Sequence, residues 1–192
     1  MGGRWYAHHV RGRPLALLVA AGLVVTGCSG GGTPASAPTT SQAPKPAGAT
    51  PSPISVQVCS SEAQKDMAVA LGERATVSTP TWTDHRYACT YDYPRADPTG
   101  SFEVSVKELS SWAETTTYYD GLAAQLGRGR DLESLGQGAF QTTDGSVVVR
   151  KDWKVLLVDD TGLPAQFGVP PTAAGDVAVT VADVILGCWA GD

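Results

Sequence analysis

The stretch that decides the fold is Gln137-Gly138-Ala139-Phe140-Gln141-Thr142-Thr143-Asp144-Gly145-Ser146-Val147-Val148-Val149-Arg150-Lys151-Asp152-Trp153-Lys154-Val155-Leu156-Leu157-Val158. Its β-branched and aromatic residues suit a pleated, half-buried surface. Asp144-Gly145, between the runs 140–143 and 146–150, predicts a type I′ hairpin, whose two central residues both need positive φ. Lys151-Asp152 predicts a second tight turn before a strand over 153–158. A three-stranded antiparallel meander follows. Upstream, Phe102, Val104 and Val106 alternate with Glu103, Ser105 and Lys107, the period of a strand with one buried face, over 101–109. Asp97-Pro98-Thr99-Gly100 reads as the turn before it, and 74–78 and 87–93 read as two earlier strands.

Helices flank these strands. Ser60 or Ser61 is placed to N-cap a helix carrying Glu62 in its first turn, Ala63, Met67, Ala70 and Leu71 on one face, and Gly72 as terminator. Ser110 or Ser111 opens a second helix through Leu126, with Trp112, Tyr119, Leu122 or Ala123, and Leu126 sharing a face. Its threonines 115–117 weaken it, because β-branched side chains lose rotamer freedom in helices. After a Gly- and Pro-rich loop over 161–171, Thr172 is the expected cap of a final helix whose Val177, Val181, Val184, Ile185 and Cys188 form a wide apolar stripe. The expected fold is α+β, a largely antiparallel sheet with about three packing helices in one domain over 54–192.

The N-terminus carries an address. Arg4, Arg11 and Arg13 precede the apolar run 15–25, which ends in Val25-Thr26-Gly27-Cys28. A basic segment, a short apolar segment and a small-residue cleavage site make a signal peptide over 1–27. The apolar run is about half the roughly 20 residues of a membrane-spanning helix. Val25-Thr26-Gly27-Cys28 resembles the lipobox of bacterial lipoproteins, which implies acylation of Cys28, with diacylglycerol and palmitate-type chains. Anchoring on the outer face of the cytoplasmic membrane follows, since stable attachment takes more than one acyl chain. Beyond Cys28, the chain to residue 53 is Gly, Ser, Thr, Ala and Pro with one Gln and the single charge of Lys45. Such a composition buries too little surface to offset its ordering entropy, so a disordered linker is expected.

Charge and cysteines narrow the chemistry. Without the signal's three arginines, 11 basic residues face 19 acids, a net charge of −8. That opposes nucleic-acid binding, which needs a basic footprint, and polybasic attraction to lipid headgroups. With Cys28 acylated, Cys59, Cys89 and Cys188 would sit outside the cytoplasm, where disulfides persist. Cys59–Cys89 is the favoured pair, with Cys188 an alternative partner for either. No Cys-x-x-Cys exists and one histidine, His85, follows the signal, so neither zinc nor another metal or cofactor is expected.

Few motifs speak for catalysis. Asp84-His85-Arg86 would have to supply any histidine-dependent step, yet it lies in a polar stretch before a strand. Asp159-Asp160, Asp92 and Asp97 lack an EF-hand spacing, and Gly127-Arg128-Gly129-Arg130 completes no phosphate-binding fingerprint and reads as a connector. The aromatics Trp82, Tyr87, Tyr91, Tyr93 and Trp112 are the candidate binding residues. Tyr87, Tyr91 and Tyr93 share strand parity and would either stack a sugar or line an apolar groove, or form a core face under a helix.

The lipobox, the Pro-rich tether and the Cys59…Cys89 spacing, with the segment 144–154 and the ending Gly187-Cys188-Trp189, resemble actinobacterial lipoproteins that carry secreted domains of unknown function. The resemblance implies an envelope-attached domain without an assigned activity. The expectation is a non-enzymatic binding or interaction domain for a small ligand, an envelope polymer or an envelope protein. The alternatives are an accessory subunit of an envelope transporter or sensor complex, and an envelope enzyme using His85 or the acidic residues.

Overall fold

Two meanders are zipped into one sheet. The computed structural model describes residues 44–189; the expected signal peptide, the acylation site Cys28 and the linker as far as residue 43 lie outside the described residues. In chain order the elements are α1 (Pro53–Gln57), α2 (Ser61–Leu71), β1 (Thr76–Val77), β2 (Thr81–Thr83), β3 (Arg86–Tyr93), β4 (Gly100–Glu108), α3 (Trp112–Leu126), β5 (Arg128–Asp131), β6 (Ala139–Thr142), β7 (Val147–Lys151), β8 (Lys154–Asp159), β9 (Gln166–Phe167), β10 (Thr172–Ala173) and α4 (Ala174–Cys188). The main sheet runs β1-β3-β4-β8-β7-β6-β5, with β2 extending the β1 edge on β3, and β9-β10 forms a separate ribbon. Every pairing is antiparallel. The fold is α+β.

Strand parity sets the layers. Phe102, Val104 and Val106 point to one face, in register with Tyr91, Cys89 and Tyr87 on β3, and Val104 and Val106 meet Val158 and Leu156 on β8. This face carries the main core, closed by Ile54 of α1 and its C-cap Val58, Met67 and Leu71 of α2, and Val177, Val181 and Ile185 of α4. The opposite face of β6, β7 and β8 is covered by α3, through Tyr119 against Phe140, Val148 and Val155.

The helix signals act largely as expected. Ser60 caps α2 by accepting from Ala63 N, and Gly72 ends it at φ +67°. Ser111 caps α3 by accepting from Glu114 N. Thr115 is fully buried within α3, its hydroxyl donating back to Ser111 O at 2.8 Å, so the helix absorbs a polar β-branched residue without an unsatisfied group.

Three turns and caps depart from the expectation. Thr143 and Asp144, not Asp144 and Gly145, occupy the centre of the β6–β7 turn, closed by Gly145 N donating to Thr142 O. Gly145 follows as a third loop residue at φ +113°, the three-residue hairpin rather than the two-residue one. A Cβ there would meet Asp160 Oδ2 at 2.6 Å. The β7–β8 turn is Asp152-Trp153, one residue later than Lys151-Asp152, both at positive φ. Thr172 does not cap α4: it pairs with Phe167 in the β9–β10 ribbon, and the N-cap position is Ala173, without a side-chain hydrogen bond. A fourth helix, α1, was not expected.

The ordered domain also starts before Ile54. Ala47 N donates to Leu109 O, and Ser52 N donates to the buried Glu108 Oε1 at 2.7 Å. Ser55 Oγ donates to the same carboxylate oxygen at 2.6 Å. The last decade of the Pro-rich segment is therefore part of the folded unit. A buried carboxylate holds its end.

Cys59 and Cys89 form a disulfide, Cα atoms 6.1 Å apart, that ties the α1–α2 junction to β3. Cys188 lies outside this bridge, half-buried with its thiol 3.6 Å from Asp66 Oδ2. Closing a loop of 30 residues is worth about 3–4 kcal/mol in the chain-entropy view. Replacing Cys59 and Cys89 together by serine is therefore expected to lower unfolding free energy by about that much, read from the urea midpoint. An unchanged midpoint would show the bridge to be dispensable.

Candidate functional site

The aromatics expected to bind a ligand do not converge. Tyr91 and Tyr93 lie in the main core, 0% and 1% exposed; Tyr91 stacks on Phe102 at 5.1 Å, and Tyr93 lies tilted against it at 5.8 Å. The shared parity of Tyr87, Tyr91 and Tyr93 is real, but their face is the one covered by helices. Tyr91 Oη donates to Val58 O at 2.6 Å, so its polar tip fastens α1. Tyr87 is half-buried at the edge of the same core. Burial raises the phenol pKa of Tyr91 and Tyr93 well above the ordinary value, and for Tyr93 the nearby Tyr91 and Glu73 add to the rise.

Trp82 and His85 are joined by the chain's own N-terminal strap. Trp82 Nε1 donates to Ala49 O at 3.0 Å, and His85 Nδ1 lies 3.0 Å from Gly48 O. A carbonyl oxygen only accepts, so Nδ1 carries the proton. The two rings meet edge to face at 5.8 Å. His85 sits with Asp84 at positive φ in the two-residue β2–β3 turn. Its ring thus clamps backbone.

Trp112 belongs to a cluster that sequence reading missed. It opens α3, and Tyr119 lies two turns on, so both project from one helix face over β7. Arg150 of β7 has the parity of Val148 and rises between them. Its guanidinium carbon is 5.4 Å from the Trp112 ring centre and 5.3 Å from that of Tyr119. Arg150 Nη1 donates to Thr116 Oγ1 at 3.3 Å, and Nε and Nη2 approach Gln137 O at 3.4 Å. Arg128 of β5 continues the stack over Tyr119 and Phe140, at 5.9 and 5.2 Å. Tyr119 is pushed up by burial, with the two guanidiniums opposing that shift.

The two arginines differ in pairing. Arg128 is paired with Asp131, Nε to Oδ1 at 2.7 Å and Nη2 to Oδ1 at 2.6 Å. Arg86 pairs with Glu103, and Arg130 lies 3.9 Å from Asp176. Arg150 makes none of the ion pairs among the described residues. Its partners are one hydroxyl, one carbonyl and two aromatic faces. Trp112 is 46% exposed beside it, and a shallow cleft lined by Tyr119, Asp120, Arg128, Asp131 and Arg150 opens alongside. Arginine held between rings presents its remaining N–H donors in a fixed plane, the geometry that suits a carboxylate or phosphate.

The signal for this cluster was present but split. Trp112 and Tyr119 are seven residues apart and Val148 and Arg150 alternate with the inward Val147 and Val149; only the docking of α3 on β7 joins them. Gly127-Arg128-Gly129-Arg130, read as a connector, is largely β5, an exposed edge strand.

The acidic pair Asp159-Asp160 does structural work. Asp159 Oδ1 accepts from Thr161 N and Oγ1. Asp160 is 3% exposed; its Oδ1 accepts from Ser146 Oγ at 2.9 Å, and the same hydroxyl oxygen accepts from Asp160 N at 3.3 Å. Gln141 Nε2 bridges Gly145 O and Gly175 O at 2.8 and 2.7 Å, fastening the hairpin to the start of α4. No group of three or more metal-ligating side chains occurs among the described residues, and no helix there is long and apolar enough to cross a membrane.

No family model, curated protein or solved structure matches this chain.

Burial raises the Asp160 pKa, with the Ser146 hydroxyl and a backbone bond opposing it. A carboxyl that titrates higher when folded opposes folding once ionised. That cost is present above the raised pKa, is relieved as pH falls through it, and is gone below the unfolded value. Ser146→Ala removes the donor that eases ionisation, so it is expected to cost about 1–3 kcal/mol at pH 7. The loss should shrink as Asp160 is protonated. Urea unfolding of both proteins across acid pH checks this, and an equal loss at every pH would contradict it.

Proposed function

We propose that this protein is a lipid-anchored binding domain of the cell envelope, whose α3–β7 face recognises an anionic saccharide. The observation that carries the reading is Arg150, seated between Trp112 and Tyr119 and in none of the ion pairs formed among the described residues. An aromatic face stacks the apolar side of a sugar ring, while a planar guanidinium takes a carboxylate or phosphate in two parallel hydrogen bonds. The surrounding chain is acidic, so a single fixed cation selects an anionic group without turning the surface into a general polyanion trap. The resemblance of Val25-Thr26-Gly27-Cys28 to a lipobox supports placement on the outer face of the cytoplasmic membrane.

A glucuronate-containing oligosaccharide is the probe of choice. Saturable binding by the full chain is expected, weakened about tenfold or more by Arg150→Ala and again by Trp112→Ala, as for loss of one charged hydrogen-bonded contact. Binding unaffected by either substitution would remove this face from the reading. The anchor is tested separately by intact mass of protein extracted from its native membrane. A diacyl adduct that disappears in Cys28→Ala, with release of the protein, is expected; an unacylated or signal-retaining mass would overturn the anchored reading.

A further inference from the structure

The cleft beside Arg150 holds two guanidiniums of unequal standing. Arg128 and Arg150 both lie against the Tyr119 ring, 5.9 and 5.3 Å from its centre, and both line the cleft together with Asp120 and Asp131. Asp131 Oδ1 takes two contacts from Arg128, Nε at 2.7 Å and Nη2 at 2.6 Å. The charge of Arg128 is thereby cancelled within the site. Asp120 forms none of the ion pairs among the described residues, so Arg150 is the one cation left for a ligand and a carboxylate stands beside it.

The open donors of Arg150 set the shape of that ligand's anion. A guanidinium carries five N–H groups. Nε and Nη2 each direct one to Gln137 O, and Nη1 directs one to Thr116 Oγ1. One N–H is left on each terminal nitrogen, a pair that meets the two oxygens of a single carboxylate. The group has little room to re-aim. Trp112 and Tyr119 flank it, and Gly138 packs so close that a Cβ there would meet Nε at 3.0 Å.

Building on the anionic-saccharide reading of this face, on which the step rests, we infer that Asp131 restricts the site to a singly charged sugar acid, a uronate, and turns away phosphorylated sugars. The uronate carboxylate takes the two open N–H groups of Arg150, and the sugar ring lies on the exposed face of Trp112. A phosphomonoester carries roughly 1.5 to 2 negative charges at pH 7. Its second charge finds Arg128 already held and the carboxylates of Asp120 and Asp131 lining the same cleft. Specificity of this kind comes from the charge left unmatched in the rejected ligand.

The test titrates the full chain with methyl glucuronide and methyl glucoside 6-phosphate, the same ring bearing different anions, and follows the backbone amide shifts of Gly138, Ala139 and Arg150. The glucuronide is expected to bind about tenfold or more tighter, the scale of one unmatched charge. Asp131→Asn frees Arg128 and is expected to strengthen phosphate binding about tenfold, erasing the preference. Adding Arg128→Gln to that variant should restore it, and Asp131→Glu, which keeps the charge, should preserve the wild-type ratio. Equal or tighter binding of the phosphate by the wild type, or a ratio unmoved by Asp131→Asn, would overturn the inference and leave the anionic-saccharide reading standing. If neither sugar shifts these amides while the glucuronate oligosaccharide does, the uronate inference alone falls. If the oligosaccharide fails as well, the reading beneath it falls too.

Discussion

The pairing of β4 with β8, from Glu103 opposite Asp159 to Glu108 opposite Lys154, is the constraint on which everything else rests. Each half of the sheet is a local meander. β3 and β4 form one, and β5 to β8 the other, with α3 carried between them. Neither could bury both of its faces alone. Their junction aligns Val104 and Val106 with Val158 and Leu156, and so makes one apolar surface wide enough for α1, α2 and α4 together. A one-residue slip at this seam would turn that surface to the other side. It would set Lys107 and Ser105 against the helices of the main core and take the valines away from them.

The same seam explains what was legible in the sequence and what was not. Alternation in Phe102, Val104 and Val106 reports one buried face directly, and the caps at Ser60, Gly72 and Ser111 are local chemistry that needs no tertiary partner. Tyr91 and Tyr93 were ambiguous for a physical reason: parity fixes that they share a face, but not whether a helix lies on it. Asp144-Gly145 satisfied the two-residue turn rule. The turn shifted by one because Gly145 is required beside Asp160 and Gly175, where a side chain does not fit. Thr172 reads as a cap, yet a two-stranded ribbon with Phe167 claims it first.

The segment before Ile54 shows where composition misleads. Proline, glycine and alanine bury little surface of their own, so the stretch reads as linker. Its order comes from backbone groups, which composition does not report. The carbonyls of Gly48 and Ala49 meet His85 and Trp82, and the amides of Ala47 and Ser52 reach Leu109 O and Glu108. Arg150 is illegible for the complementary reason. Its neighbours Trp112 and Tyr119 are distant in sequence, and only the crossover through α3 brings a helix face onto the β7 strand.

The strap also orients the molecule. It grips the end of the sheet where β4 stops at Glu108 and the β2–β3 and β7–β8 turns lie, whereas Tyr93, Gly100 and the Asp160 loop mark the opposite end. The eight residues of β3 separate these ends by roughly 25 Å at the rise of an extended strand. A chain entering at Pro44 is therefore held at one pole, beside Trp112 and Arg150. Tyr93 marks the other. Because the strap's bonds to Glu108, Trp82 and His85 all sit at this pole, the chain joins the domain here and not at the Tyr93 end.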